Sequence, residues 1–378
     1  MTPRTVQFGA DRETTRHYQQ LVEQHGSPLL VYDASVLQQQ FKALQLALPK
    51  VDLYYAVKAH PNAEIIKTID ELGGGFDIAS AGEMDLLLAH KISGRRTIHT
   101  HPIKKDQEIR DALRFGATTF VVDNMYELQK LLPYRSRVGV LLRISFRSEN
   151  AIVDLSRKFG CDLHDTTKII FEAAKLGIHI KGLSFHVGSQ CDNAAKHVEA
   201  INSCQQLMLE LNQQLTKPLS ILDIGGGFPA DYTLQGQDIE QFCAPIRKAL
   251  AKLPNDWHIL AEPGRYLVAP AVTSITSITG KSIRNELRWY YLDDGVYGSY
   301  SGQIFDHACY PLQTLNTGDT HPSILAGPTC DSIDIVAENI ELPELEIGDL
   351  IIGHQMGAYT AATKTRFNSL PDAKFVRI

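Results

Sequence analysis

From Leu53 onward, short apolar runs rich in β-branched residues alternate with longer stretches whose apolar positions recur every three or four residues. Such alternation marks repeated strand-helix units around a parallel sheet. The strand candidates are LYYAVKA from Leu53, GFDIAS from Gly75, RTIHT from Arg96, TTFVVD from Thr118, RVGVLLRIS from Arg137, GLSFHVGS from Gly182, SILDIGGG from Ser220 and WHILAEPG from Trp257. Helical period lies between them, as in AEIIKTIDEL from Ala63, AGEMDLLLAH from Ala81 and KHVEAINSCQQLMLELNQQL from Lys196. Eight strands with seven helical connections predict an α/β fold, a closed (β/α)8 TIM barrel rather than an open doubly wound sheet.

After Glu262 the texture changes. The stretch from Tyr266 to about Asp294 (with YLVAPAVTSITSITG) is rich in Val, Ile, Thr and Ser with little helical period, and ELEIGDLIIG further on is also strand-like. A second, mostly β domain is expected there. LLVYD at Leu29 to Asp33 is a strand candidate that precedes the eight-strand series, so the β domain is expected to draw on both chain ends. The predicted division is a barrel over 34–268 and a β-sheet domain from 1–33 plus 269–378. The chain's 378 residues, at roughly 150 per domain, allow that division without requiring it.

Charge and cysteine usage narrow the classes. The 37 Lys and Arg against 43 Asp and Glu form no basic block, which disfavours nucleic acid as a partner. The first twenty residues lack the apolar stretch of a signal peptide, and no segment reaches the ~18 apolar residues of a membrane span. A cytoplasmic protein without a membrane partner is expected. The six cysteines show no CxxC pair and no tight cluster, so neither a metal site nor a disulfide framework is predicted.

In a barrel of this kind, chemistry sits at the C-terminal ends of the strands. Lys58, Asp77, Arg143, His186, the Gly225, Gly226, Gly227 triplet and Glu262 all fall at or near such ends. A lone lysine there is usually a solvated strand end, but six such positions on one rim are hard to dismiss. Behind the apolar run YYAV, Lys58 is expected to be desolvated, leaving an amine able to form a Schiff base. In DIGGGFP (Asp223 to Pro229) the glycines suit a tight turn or a phosphate cradle. Arg265 of EPGR tips the reading toward phosphate. His186 reads equally as a packed core histidine and as a ring stacking on a planar cofactor. A Schiff-base lysine, a phosphate cradle and a carboxylate at the last strand together describe a pyridoxal 5'-phosphate site. Glu262 would keep the pyridine nitrogen protonated and deepen the electron sink, which favours decarboxylation over racemisation.

At this point the chain resembles the fold type III, alanine racemase-like pyridoxal phosphate decarboxylases, in their ornithine decarboxylase branch. YYAVKAH, FDIAS, HVGSQ, DIGGGFP, AEPGRY, DDGVYGSY, FDH, GPTCDSID and GAYT follow the family order over nearly the whole chain. The resemblance implies cofactor binding by Lys58, Asp77, Arg143, His186, Ser189, Gly225, Gly226, Gly227, Glu262, Arg265 and Tyr359. It implies a homodimer with shared active sites, in which Cys330 and Asp331 come from the neighbouring subunit and Asp306 from the subunit holding the lysine. Asp306, Asp331 and Phe367 would bind the diamino acid substrate, and Cys330 would protonate Cα once carbon dioxide has left. Lys158, in the loop motif LSRKFG, would pair with Asp334 across the dimer or remain an exposed loop lysine. The implied activity is decarboxylation of L-ornithine to putrescine in polyamine biosynthesis. L-lysine or dual lysine/ornithine decarboxylation is the close alternative, and an inactive antizyme-inhibitor-like regulator the distant one. The chain departs from the family pattern at His60, where Asn is usual, at Ser369 in FNS instead of FNG, and at Phe305, where many relatives have Tyr.

Overall fold

The computed structural model describes residues 4–146 and 158–378; Leu155, Ser156 and Arg157 of the LSRKFG loop lie outside the described residues. Each predicted strand of the series forms. They are β1 (Val51–Ala56), β2 (Gly75–Ile78), β3 (Thr97–His99), β4 (Thr119–Val122), β5 (Gly139–Ile144), β6 (His179–Phe185), β7 (Ile221–Asp223) and β8 (His258–Ala261). All neighbours run parallel, and β8 pairs with β1 through Ile259↔Val51, Leu260↔Asp52 and Ala261↔Leu53, which closes the barrel. Among the described residues, four of the seven connecting helices start where a short polar side chain supplies a cap. Asn62, Ser80, Asn124 and Asp238 accept from the N–H of Glu64, Glu83, Glu127 and Glu240, and so satisfy donors that the helix cannot.

Strand alternation decides what lines the barrel. Ile98, Val121, Leu141 and Leu260 pack together with Tyr54 and Ile221 as the apolar plug. Because side chains alternate with a period of two, Asp123, Arg143 and Glu262, each two residues further on, rise on the same inward face. Register adds Asp77 opposite Ile98, Ser184 opposite Arg143, and Asp223 opposite Ser184. An apolar floor thus carries a polar layer at the strand C-terminal ends. Among the described residues, no helix is long and apolar enough to cross a membrane.

The second unit is a nine-stranded sheet. Its central strand, Val272–Arg284, pairs antiparallel with Leu29–Tyr32, which in turn pairs parallel with Lys374–Arg377. Val6–Phe8 adds to Leu312–Thr314. The sheet is therefore assembled from both chain ends. Leu21 of the helix Arg12–His25 covers it, packing with Leu29, Val31, Ile275, Leu350 and Ile352.

Packing divides the chain into Gln38–Pro229 with Asp238–Tyr266, the barrel, and Met1–Leu37 with Ala230–Gln237 and Leu267–Ile378, the β unit. The boundaries differ from 34–268 by a few residues at each end, 34–37 and 267–268, and by the excursion Ala230–Gln237. There the Tyr232 ring meets Tyr310 edge-on at 5.9 Å, and the Thr233 carbonyl accepts from the Thr5 hydroxyl at 3.3 Å. Two tertiary contacts with residues distant in the chain draw the segment out, and neither leaves a mark in its local pattern.

Candidate active site

Lys58 sits in a single 3-10 turn, Val57–Ala59, directly after β1. The Tyr55 hydroxyl fixes the turn by donating to the His60 carbonyl at 3.0 Å. The Lys58 ammonium meets the buried Asp77 carboxylate at 2.5 Å, and its side chain is 39% exposed. The expectation of an ammonium stripped of water by apolar neighbours is thereby corrected: an anion accompanies it. Asp77 also accepts from the Thr100 hydroxyl.

Glu262 and Asp223 form the most perturbed pair. Burial, the neighbouring Asp223 charge and Asp77 push the Glu262 carboxyl well above the usual carboxylate range, opposed by Lys58. Burial raises Asp223 to about 6, against hydrogen bonding to Glu262 and to the Gly225 N–H. Two adjacent buried carboxylates cannot both ionise, so the pair retains a proton near neutrality. The Arg143 guanidinium, stabilised by Glu262, Asp123 and Asp223, is lowered by burial. Burial first, then Arg143 and Lys58, hold His186 well below its normal value, so its ring is neutral and its Nδ1 accepts from the Gly188 N–H at 3.0 Å.

Asp223 gives a prediction. An acid whose pKa is raised by folding binds its proton more tightly folded than unfolded, so stability is lost as pH rises through the folded value. Asp223→Asn should therefore stabilise the cofactor-free protein above about pH 6, by about 1–3 kcal/mol, and change little near pH 4. Urea unfolding across that range checks it.

The DIGGGFP turn needs its glycines. Gly225 has φ +66°, and a Cβ there would come within 2.2 Å of the Phe185 carbonyl; Gly227 has φ +98°. Arg265 is buried and donates through Nε and Nη2 to the Ser189 hydroxyl at 3.2 and 3.0 Å. Thus the barrel itself gathers Lys58, Asp77, Arg143, His186 and Glu262 into one electrostatic cluster, and joins Ser189 to Arg265.

The remaining predicted residues belong to the β unit. Cys330 is the exposed cysteine, whereas Cys161, Cys191, Cys204 and Cys243 are buried and none is in a disulfide. Its backbone N–H is anchored by the Asn368 side chain at 3.1 Å. The Tyr297 hydroxyl donates to Asp331 at 2.5 Å, which lowers the Asp331 pKa and raises that of Tyr297 to about 12. Phe367 stacks on Tyr297 with centroids 4.6 Å apart. Asp306 ends the short helix Gly302–Phe305, and Tyr359 adopts φ +55° with its carbonyl accepting from Thr363. Asp334 is buried and braces the Cys330 loop through Val296 N–H and the Thr329 N–H and hydroxyl. The Lys158 ammonium lies 5.1 Å from the Phe159 ring centre.

Sequence reasoning missed several of these groups. In the sequence Asp223 reads only as the start of a glycine motif; its place two residues before Gly225 on an inward-facing strand is the available signal. Tyr297 lay inside DDGVYGSY without a role. Glu83, raised to about 7 by burial and close to Asp77 and Lys58, was hidden in a helix start, where its carboxylate accepts from the Ala79 N–H.

Residues 34–269 match the family model of the pyridoxal-dependent decarboxylases, pyridoxal binding domain. The chain belongs to that family. A lysine/ornithine decarboxylase of Vibrio vulnificus, solved with cadaverine and with putrescine, is 49% identical at TM-score 0.93, over 97% of this chain and 99% of that one. The lysine/ornithine decarboxylase of Selenomonas ruminantium is 35% identical over 94% of this chain and 91% of its own. Antizyme inhibitor 2 of Xenopus laevis is 34% identical over 85% of this chain and 74% of its own.

The cofactor of the family is pyridoxal phosphate, and the barrel fits it on three counts. The glycine turn is a cradle that side chains would fill. A buried oxygen of Asp223 (Oδ2) has no partner among the described residues. The Asp223 and Glu262 pair keeps a proton available to a basic ring nitrogen.

Proposed function

We propose that this decarboxylase acts on the short basic amino acids L-ornithine and L-lysine, forming putrescine and cadaverine. The observation that carries the substrate class is Asp331, an ionised carboxylate oriented by the Tyr297 hydroxyl at 2.5 Å, next in sequence to the exposed Cys330 thiol. A distal ammonium leaving water needs such an anion, and Asp306 offers a second. The Vibrio relative, solved with both diamines, supports the dual reading over ornithine alone. One methylene in a pocket is worth only about 1–3 kcal/mol of discrimination.

In this reading the chain works as a homodimer with shared sites, Cys330 and Asp331 being contributed by one subunit to the lysine of the other. Bound pyridoxal phosphate supplies the electron sink that makes loss of carbon dioxide feasible. Lys58 attaches the cofactor. The N–H groups of the glycine turn, with Ser189 and Arg265, would hold its phosphate; Glu262 would keep a proton at its ring nitrogen, and the neutral His186 ring would pack against it. Tyr359 would be a further cofactor residue, and Phe367 would offer an apolar wall to the substrate methylenes. The Cys330 thiol then delivers a proton to the substrate Cα.

An equimolar mixture of ornithine, lysine and diaminopimelate tests the substrate class. Putrescine and cadaverine are the expected products; lysine newly formed from labelled diaminopimelate would overturn the reading. Cys330→Ala should divert protonation and yield an aldehyde by-product with slowed turnover, read by product chromatography. Putrescine alone at the wild-type rate would remove Cys330 from this role. The antizyme-inhibitor relative motivates one control: the purified protein should absorb in the visible and lose that band on borohydride treatment. A protein that stays colourless and inactive with added cofactor would be a regulator.

A further inference from the structure

We infer that His197 is a positioning residue for the phosphate cradle, holding the Gly226 carbonyl so that the Gly227 N–H stays turned toward the ligand. The inference rests on reading the DIGGGFP turn as that cradle.

Three consecutive carbonyls of the turn are each held by a donor from elsewhere in the barrel. Gly225 O accepts from the Glu262 N–H at 2.7 Å and Gly227 O from the Cys191 N–H at 3.0 Å. Between them, Gly226 O is bonded to His197 Nε2 at 3.0 Å. A peptide unit is planar and trans, so fixing its C=O aims the N–H of the following residue the opposite way. Pinning these carbonyls therefore orients the N–H groups of Gly226, Gly227 and Phe228. Among the described residues, none of those three N–H groups has a protein acceptor. Backbone bonds secure the outer two peptides. The middle one lies between two glycines, where rotation meets least resistance, and it depends on a side chain. If it flipped, a carbonyl oxygen would face the anion.

The chemistry of the ring supports this role. His197 projects from the helix Ala195–Asn212 into a fully buried box, with Phe228 at 5.6 Å and Phe242 edge-on at 6.0 Å. Burial lowers its pKa to about 4, so the ring is neutral, and a carbonyl partner requires the proton on Nε2. Its Nδ1 is buried without a partner among the described residues. A histidine whose only task was to fill an aromatic box would be outdone by phenylalanine, which buries no orphaned nitrogen. The bond to Gly226 is what distinguishes histidine here.

The test compares two ligands that Lys58 cannot attach, 4'-deoxypyridoxine 5'-phosphate and 4'-deoxypyridoxine, on the full chain stripped of cofactor. Wild type should prefer the phosphate ligand strongly. His197→Phe should bind the phosphate ligand about tenfold more weakly and the phosphate-free ligand as before, while His197→Gln, whose amide can donate, should recover most of the loss. If His197→Phe does not fold, His197→Leu takes its place as the donor-free variant. Unchanged phosphate-ligand affinity in the donor-free variant, or equal weakening of both ligands, overturns the inference. Equal affinity of wild type for both ligands instead overturns the cradle reading, and the inference with it.

Discussion

Lys58→Ala should lower decarboxylation by roughly four orders of magnitude or more, because it removes the nucleophile on which covalent attachment depends. Lys58→Arg makes the test specific. The guanidinium keeps the charge beside Asp77, which lies 2.5 Å from the lysine nitrogen, but cannot form the covalent bond at neutral pH. If Lys58 served only to neutralise Asp77, the arginine variant would remain active. Both variants are expected to be inactive, and borohydride should fix cofactor to wild type alone, as read by peptide mass spectrometry. An arginine variant within about tenfold of wild-type turnover would sink the nucleophile role. The turn that presents the lysine is secured by the Tyr55 hydroxyl and the His60 carbonyl, so His60, where the family has Asn, acts there through its backbone.

Glu262→Gln should reduce kcat about 10²–10⁴-fold, the range for a group that manages a proton at the reacting system. Its shape is preserved, so cofactor affinity should move far less than turnover. The structure explains why a carboxyl at this position can hold a proton at neutral pH. Burial raises its pKa, the charges of Asp223 and Asp77 add to the shift, and Lys58 only partly opposes it. Steady-state kinetics with a cofactor fluorescence titration separate the two effects. A glutamine variant within about threefold of wild-type kcat would remove Glu262 from this role. Asp223→Asn should act through the same proton, and its combination with Glu262→Gln should be less than additive, since neighbours that share a proton are not independent.

Much of this protein was legible in its residues alone. Eight short apolar runs rich in β-branched residues, with a period near 3.6 between them, marked the parallel strands and helices. Their C-terminal ends put Asp77, Arg143 and Glu262 on one rim, because the strands of a parallel barrel all run the same way. Leu29 to Asp33 was recognisable as a strand, and so was its membership of the β domain, since it stood outside the barrel series. The residues harder to read were those whose role is set by a partner far along the chain. Ala230–Gln237 leaves the barrel because Tyr232 and Thr233 find Tyr310 and Thr5. Lys58 meets an anion rather than an apolar wall. His197, on the buried face of a helix, carries no local sign that its ring reaches a glycine carbonyl 29 residues on.

The sequence by itself determined the strands, their alternation and the types of chemical group at their ends, because these follow from local backbone geometry and from the spacing of apolar residues. Only the tertiary structure decided which of those groups share charge and protons. Asp223 beside Glu262, Tyr297 against Asp331 and His197 beneath Gly226 depend on distance and burial, which fall off over a few ångströms and are fixed only when the barrel closes and the sheet assembles.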